Sequence, residues 1–314
     1  MLTMRKFLPL LLSVASAQFS PAQTLKSYYI DWGTQSENFH NTLLQWSPGS
    51  KVSDDDNFFI SRVKPKERFR NTATQVRAEL GDENDKHLIA WMPCNNSDYN
   101  ALPDGAFDNE VFSMWPYVTH WGNWSCPLGR VPGAFLDVAH KNGVPVSSVA
   151  DIPAGTLTDE YAALLDSIVL TDIDNDTMFF NYYGVDGLGY NSEFQTTSSR
   201  VRALQTFHGE LVEAMREDNP LFENIWYDGT SYYGKVNYDL GLDSHNAKNF
   251  GDGDEIRTSL FLNYNWNDND LLSSSQAYAI SMSRDRSTCI AASISKAESL
   301  PARAGLCSRT ITSP

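Results

Sequence analysis

Past residue 86 the apolar and polar positions fall into two alternating rhythms. His87-Leu-Ile-Ala-Trp-Met92 is a short, nearly unbroken apolar run stopped by Pro93, the pattern of a strand buried on both faces. Tyr117 to Trp121 is a second short strand candidate. Ala134 to Asn142 places its apolar residues at helical spacing and is closed by Gly143, after which Val144 to Val149 returns to strand. Glu160 to Leu170 reads as helix, Gly184 to Tyr190 as a short glycine-bearing strand, and Ser199 to Glu217 as a long amphipathic helix ended by Asn219-Pro220. Ile225 to Tyr227 and Ser259 to Tyr264 read as strands, and Ser274 to Met282 as helix.

Strands separated by helices predict βαβ units and a parallel sheet. Functional groups gathered at strand C-termini favour an α/β fold of the (β/α)8 TIM-type barrel over an open sheet. No GxGxxG or Walker loop supports a nucleotide site. About six barrel strands are present over residues 86–282, so the barrel is expected to be incomplete. Residues 24–85 are polar and mixed, with the acidic run Asp54-Asp55-Asp56 and the basic patch Arg62, Lys64, Lys66, Arg68 and Arg70, and read as an N-terminal extension of solvated loops.

The N-terminus has its own signature. Arg5 and Lys6 precede an apolar stretch from Phe7 to Val14, and Ala15-Ser16-Ala17 supplies an A-x-A cleavage site. Residues 1–17 therefore read as a signal peptide, too short to span a bilayer, and the chain is expected to be secreted or periplasmic. Four cysteines in an exported chain could form two disulfides, and their spacings match no zinc pattern. The formal charge, 24 basic against 39 acidic residues or −15, disfavours nucleic acid and anionic membranes as partners. A neutral ligand fits better.

The chemistry-bearing segment is GVDGLGYNSEF, residues 184–194. Strand alternation puts Asn191 and Glu193 on one face, an amide and a carboxyl group over one pocket. Most glycosidases use two carboxylates, and an amide cannot replace the second. It can hydrogen-bond a 2-acetamido group, so that the sugar's own carbonyl oxygen attacks its anomeric carbon. A glutamic acid near an apolar rim then suits the general acid.

This segment resembles the fourth-strand motif of glycoside hydrolase family 85, the endo-β-N-acetylglucosaminidases. HLIAWMP resembles the family's first strand and WPYVTHWGNW its second, and VPGAFLDVAHKNGVPV resembles the helix and third strand that follow. IWYDGTSYYGKVNYDLGL resembles the fifth strand with its aromatic loop, and FLNYNW the sixth. The resemblance implies Glu193 as general acid/base and Asn191 as the group orienting the acetamide. Tyr227 matches a tyrosine that bonds near the reacting acetamide. Tyr238 stands where the family usually has a tryptophan in its sugar platform. Asn263 and Trp266 match sixth-strand site residues, and His120 and Trp121 match the aromatic end of the second strand. Asp228 either lines the pocket or caps a turn, and Asp186 is expected to brace the fourth strand. Trp91, Trp115 and Trp226 read as packing.

The implied activity is hydrolysis of the GlcNAc-β-1,4-GlcNAc core of N-glycans, with an N-glycan or glycoprotein as partner and neither metal nor organic cofactor. The chitinase-type family 18 is the other glycosidase reading. Its D-x-x-D-x-D-x-E motif, aligned on Glu193, meets Asp186, Gly189 and Asn191, so two of its three aspartates are missing. A non-catalytic glycan-binding relative on the same scaffold is the alternative outside enzymology.

The tail, residues 283–314, breaks the pattern. It contains no Trp, Tyr or Phe and carries five basic against two acidic residues. It reads as an aberrant or disordered end that would leave a barrel edge open. Codons permitted for RSTCIAASISKAE, read two nucleotides later, can give FDLYCGIDIQGRE, which resembles the family's seventh-strand motif.

Overall fold

The two rhythms close into a ring. The computed structural model describes residues 43–50, 57, 59–66, 87–92, 114–124, 131–238, 241–262, 269–284, 289–293 and 305–309. Eight strands among them form a closed barrel. They are β1 His87–Met92, β2 His120–Trp124, β3 Val146–Asp151, β4 Leu188–Asn191, β5 Ile225–Tyr227, β6 Ser259–Leu262, β7 Cys289–Ser293 and β8 Gly305–Arg309. Neighbours run parallel from β1 round to β7, whereas β8 lies antiparallel to both β7 and β1.

The six strands expected over residues 86–282 are therefore present and parallel, and the barrel is incomplete as a (β/α)8 fold. The tail departs from the expectation of an open edge. Its β7 pairs parallel with β6, with Leu260 opposite Cys289 and Leu262 opposite Ala291. An unpaired strand edge is a row of unsatisfied donors and acceptors that an extended segment can relieve. β7 lies within the stretch whose shifted reading resembles a seventh strand, and it occupies the seventh position in the ring.

Among the described residues, five helices of nine or more residues cover the sheet: α1 Gly133–Lys141, α2 Asp159–Ile168, α3 Ile173–Tyr183, α4 Ser198–Arg216 and α5 Asn269–Ser281. Sequence patterning missed α3, because its Asn, Asp, Thr and aromatic residues are indifferent helix formers. Its ends were nonetheless marked. Asp172 caps the N-terminus by accepting from the Asp174 amide, and Gly184 ends the helix at φ 76°, a left-handed conformation that favours glycine.

Strand alternation sorts the core into two layers. Ile89, Trp91, Val149, Ile225, Tyr227 and Phe261 fill the ring, with Trp91 stacked on Phe261 at 4.8 Å and 9°. Ala90, Trp121, Val146, Leu188, Tyr190 and Trp226 point outward and meet Leu136, Phe179, Phe180, Leu204 and Leu211. Trp91 and Trp226 are packing residues, as read.

Asp186 fixes the start of β4. One carboxylate oxygen accepts from the Val146 amide and from His140 Nε2, each at 2.8 Å, and the other accepts from Asn219 at 2.8 Å. His140 Nδ1 meets the Val63 carbonyl, so both ring nitrogens face acceptors, an arrangement that favours the protonated ring. Burial pulls this imidazole's pKa down, but the hydrogen bond and charge of Asp186 outweigh it and the net shift is upward. A second buried carboxyl, Asp176 in α3, is lifted by burial to about 6 despite a 2.6 Å hydrogen bond from Thr171, with the charge of Asp172 adding to the rise.

Both groups hold protons more tightly folded than unfolded, so stability falls as pH rises through each titration. The Asp176 contribution is lost between about pH 4 and 6, roughly 2–3 kcal/mol for a shift of that size. The His140 contribution is intact below about pH 6.5 and lost as pH passes the raised folded value. Urea unfolding as a function of pH should show both declines. Asp176→Asn should flatten the acidic one and His140→Gln the one above it; curves parallel to wild type would refute the assignment.

Candidate active site

The C-terminal mouth of the barrel is assembled from the end of β4 and the loop after β5. The Ser192 hydroxyl donates to the Tyr227 carbonyl, and the Thr230 amide donates to the Ser192 carbonyl at 2.7 Å. These bonds lock the two elements together. Gly229 is required at the crossing, because a Cβ there would lie 2.4 Å from the Ser192 carbonyl oxygen. The backbone on either side of Glu193 is held as well. Its carbonyl accepts from the Gly155 amide at 3.0 Å, and the Phe194 amide donates to Thr230 Oγ1 at 3.0 Å.

On this frame Asn191 Nδ2 lies 3.5 Å from Glu193 Oε2, and the Tyr238 hydroxyl donates to Glu193 Oε1 at 3.3 Å. Asn191 is nearly buried, Glu193 partly exposed and Tyr238 47% exposed, so the cluster opens to solvent on one side. The Tyr227 ring lies 6.4 Å from that of Tyr238 and 5.5 Å from Phe261 beneath it. Burial raises the Tyr238 pKa, and the charge and hydrogen bond of Glu193 raise it further, so the phenol stays protonated and donates. The result is an aromatic wall beside a carboxyl group and an amide. Such walls stack on the C–H faces of sugars, while amide and carboxyl groups fix orientation.

The structure thus brings together Asn191, Glu193, Tyr227 and Tyr238. Asp228 is fully buried; its carboxylate accepts from Asn246 at 3.0 Å, and its amide donates to the Phe261 carbonyl at 2.9 Å. Of its two readings, the turn anchor is the one observed. Asp186 braces β4, as expected. Asn263 and Trp266 lie outside the described residues, just beyond the end of β6 at Leu262.

His120 and Trp121 are corrections. They begin β2, at the opposite end of the ring, because the strand runs on to Trp124. His120 is buried, with Nε2 2.7 Å from Ser147 Oγ and Nδ1 3.5 Å from Glu223 Oε2. Ser147 gives its own proton to the Glu223 carbonyl at 2.8 Å, so the imidazole donates to it. This is a tie across the barrel floor. Trp121 points outward and packs edge-on against Phe135 at 4.9 Å. One residue at the mouth was not weighed from sequence: the register sets Asp151, the last residue of β3, beside Asn191. Its signal was its place at the C-terminal end of a barrel strand. Among the described residues no group of His, Cys, Asp and Glu could hold a metal.

The family model for glycosyl hydrolase family 85 matches residues 94–294, more than half of the chain. The chain belongs to glycosyl hydrolase family 85. The glycoside hydrolase domain of Endo-D from Streptococcus pneumoniae R6 superposes with a TM-score of 0.65 at 20% identity, covering 79% of this chain and 40% of that one. The chain therefore spans less than half the length of that solved protein. A chitinase from Bacteroides thetaiotaomicron superposes more loosely, with a TM-score of 0.42 at 13% identity over 66% of each chain. No curated protein sequence matches the chain.

In this family 85 chain the floor residues are expected to govern stability. His120→Ala should lower the unfolding free energy by about 1–3 kcal/mol, since it strips partners from buried polar groups. Trp121→Ala should cost about 3–5 kcal/mol. Melting midpoints of the purified variants check both, and unchanged midpoints would return the two residues to the candidate site list.

Proposed function

We propose that this chain is an endo-β-N-acetylglucosaminidase that cleaves the GlcNAc-β-1,4-GlcNAc core of N-glycans with retention. The observation that carries the reading is the pairing of Asn191, the last residue of β4, with Glu193 two residues beyond it at the barrel mouth, walled by Tyr227 and Tyr238. Family 85 membership supports it. Two residues apart on a strand is the spacing that aims both groups into one cavity.

In the first step Asn191 holds the 2-acetamido group so that its carbonyl oxygen attacks C1 of the sugar. The C1–O4 bond breaks, and Glu193 gives its proton to the departing O4 of the second GlcNAc. An oxazolinium ring remains on the glycan. In the second step water attacks C1, Glu193 takes back a proton, and the bond from C1 to the acetamide oxygen breaks. Two inversions at C1 leave the β configuration. In this proposal Tyr227, whose ring flanks that of Tyr238, hydrogen-bonds the acetamide. Export through the N-terminal signal-like segment is part of the proposal, and N-terminal sequencing of the secreted chain should begin at Gln18.

The test is a high-mannose N-glycoprotein incubated with the purified chain and weighed by mass spectrometry. Loss of the glycan with a single GlcNAc left on asparagine is expected. Glu193→Gln should lower kcat/KM by about 10²–10⁴-fold, and Asn191→Ala by about 10²–10³-fold. An intact glycan, or near-full activity in both variants, would overturn the proposal.

A further inference from the structure

The Tyr238 hydroxyl gives this residue a chemistry that an aromatic platform alone does not need. It donates to Glu193 Oε1 at 3.3 Å, while Asn191 Nδ2 faces Oε2 at 3.5 Å. The two oxygens of one carboxyl group are thus engaged from opposite sides, by β4 itself and by the loop that follows β5. That loop is internally braced. The Asn237 amide donates to the Gly229 carbonyl and the Ser231 amide to the Lys235 carbonyl, each at 2.8 Å. Thr230 pairs with Val236 as an isolated bridge, so the loop returns Tyr238 to the mouth.

We infer that Tyr238 is a positioning residue for Glu193: its hydroxyl clamps the carboxyl group against Asn191 and fixes the direction in which its oxygens face the mouth. The inference deepens the proposed function and rests on it for its catalytic meaning. A phenol can donate to the ionised carboxylate and accept from the neutral acid, so it can serve both halves of the reaction. Other ionisable groups come from the elements around the same mouth. Among the described side chains, Tyr227 comes from β5, the Asp228 carboxylate accepts from Asn246, and Tyr232 faces Arg202 and Lys248, each at 5.6 Å. From β3, Asp151 lies in backbone register with Asn191.

Tyr238→Phe isolates the hydroxyl, since the ring and its half-exposed position are retained. The measurement is ¹³C relaxation of the glutamate side-chain methylenes by NMR, with the Glu193 signals identified by their loss in Glu193→Gln. The order parameter of the Glu193 side chain should fall clearly in Tyr238→Phe. On an N-glycan substrate kcat should fall by about tenfold, with KM little changed. An order parameter unchanged in Tyr238→Phe would overturn the clamp, whatever the enzyme cleaves. A fall in a chain that cleaves no N-glycan would uphold the clamp and overturn the functional reading instead.

Discussion

One buried carboxylate sets the geometry on which the mouth depends. Asp186 takes a hydrogen bond from the amide that opens β3, another from His140 in α1 and a third from Asn219 beyond α4. Its own amide donates to the Val146 carbonyl, and its carbonyl accepts from the Glu223 amide ahead of β5. Five contacts therefore fix β4 against β3, β5 and two helices before the strand has begun. A slip of one residue would turn Asn191 and Glu193 to the outer layer and bring Tyr190 and Ser192 into the cavity. A carboxylate this deep is tolerated because His140, the Val146 amide and Asn219 engage both of its oxygens.

Much of this was legible along the chain because burial on both faces leaves a plain trace. HLIAWM, IWY and SLFL are apolar at successive positions, and each proved to be a barrel strand. The pair Asn191 and Glu193 was legible for the same reason: a polar break at the end of such a run, with period two, has to face the cavity. What stayed hidden depended on distance in space. Tyr117 to Trp121 reads as strand from the sequence, but β2 starts at His120 and runs on to Trp124, which moves His120 from near the strand's C-terminal end to its first residue. The α3 helix was masked by its composition, although both its capping residues were in view.

The tail shows how far geometry can override composition. β7 and β8 contain no aromatic residue, yet they are drawn into the ring because β1 and β6 each offer an edge of backbone groups. A parallel eighth strand needs a crossover of a dozen or more residues returning the chain to the far end, whereas an antiparallel partner can follow a simple turn back. With eleven residues between Ser293 and Gly305, the chain takes the antiparallel solution. Closure of this kind satisfies hydrogen bonds along the edges. It does not by itself supply the packed layers that fill the rest of the barrel.

The role proposed for Glu193 sets two demands that pull against each other. A carboxyl group that both gives and takes a proton has to be partly dried, yet it must stay within reach of a bulky substrate and of water. Here the drying comes from below, where Tyr227 rests on Phe261 and Phe261 on Trp91. Access comes from the side, where Tyr238 stands on a loop half open to solvent. That loop is tied to the end of β4 through Ser192 and Thr230, so the open side and the carboxyl group share one frame. A carboxyl group placed by a strand and restrained by a loop can keep its orientation while its hydrogen-bond partners change. The acid and base roles proposed for Glu193 require that of a single residue.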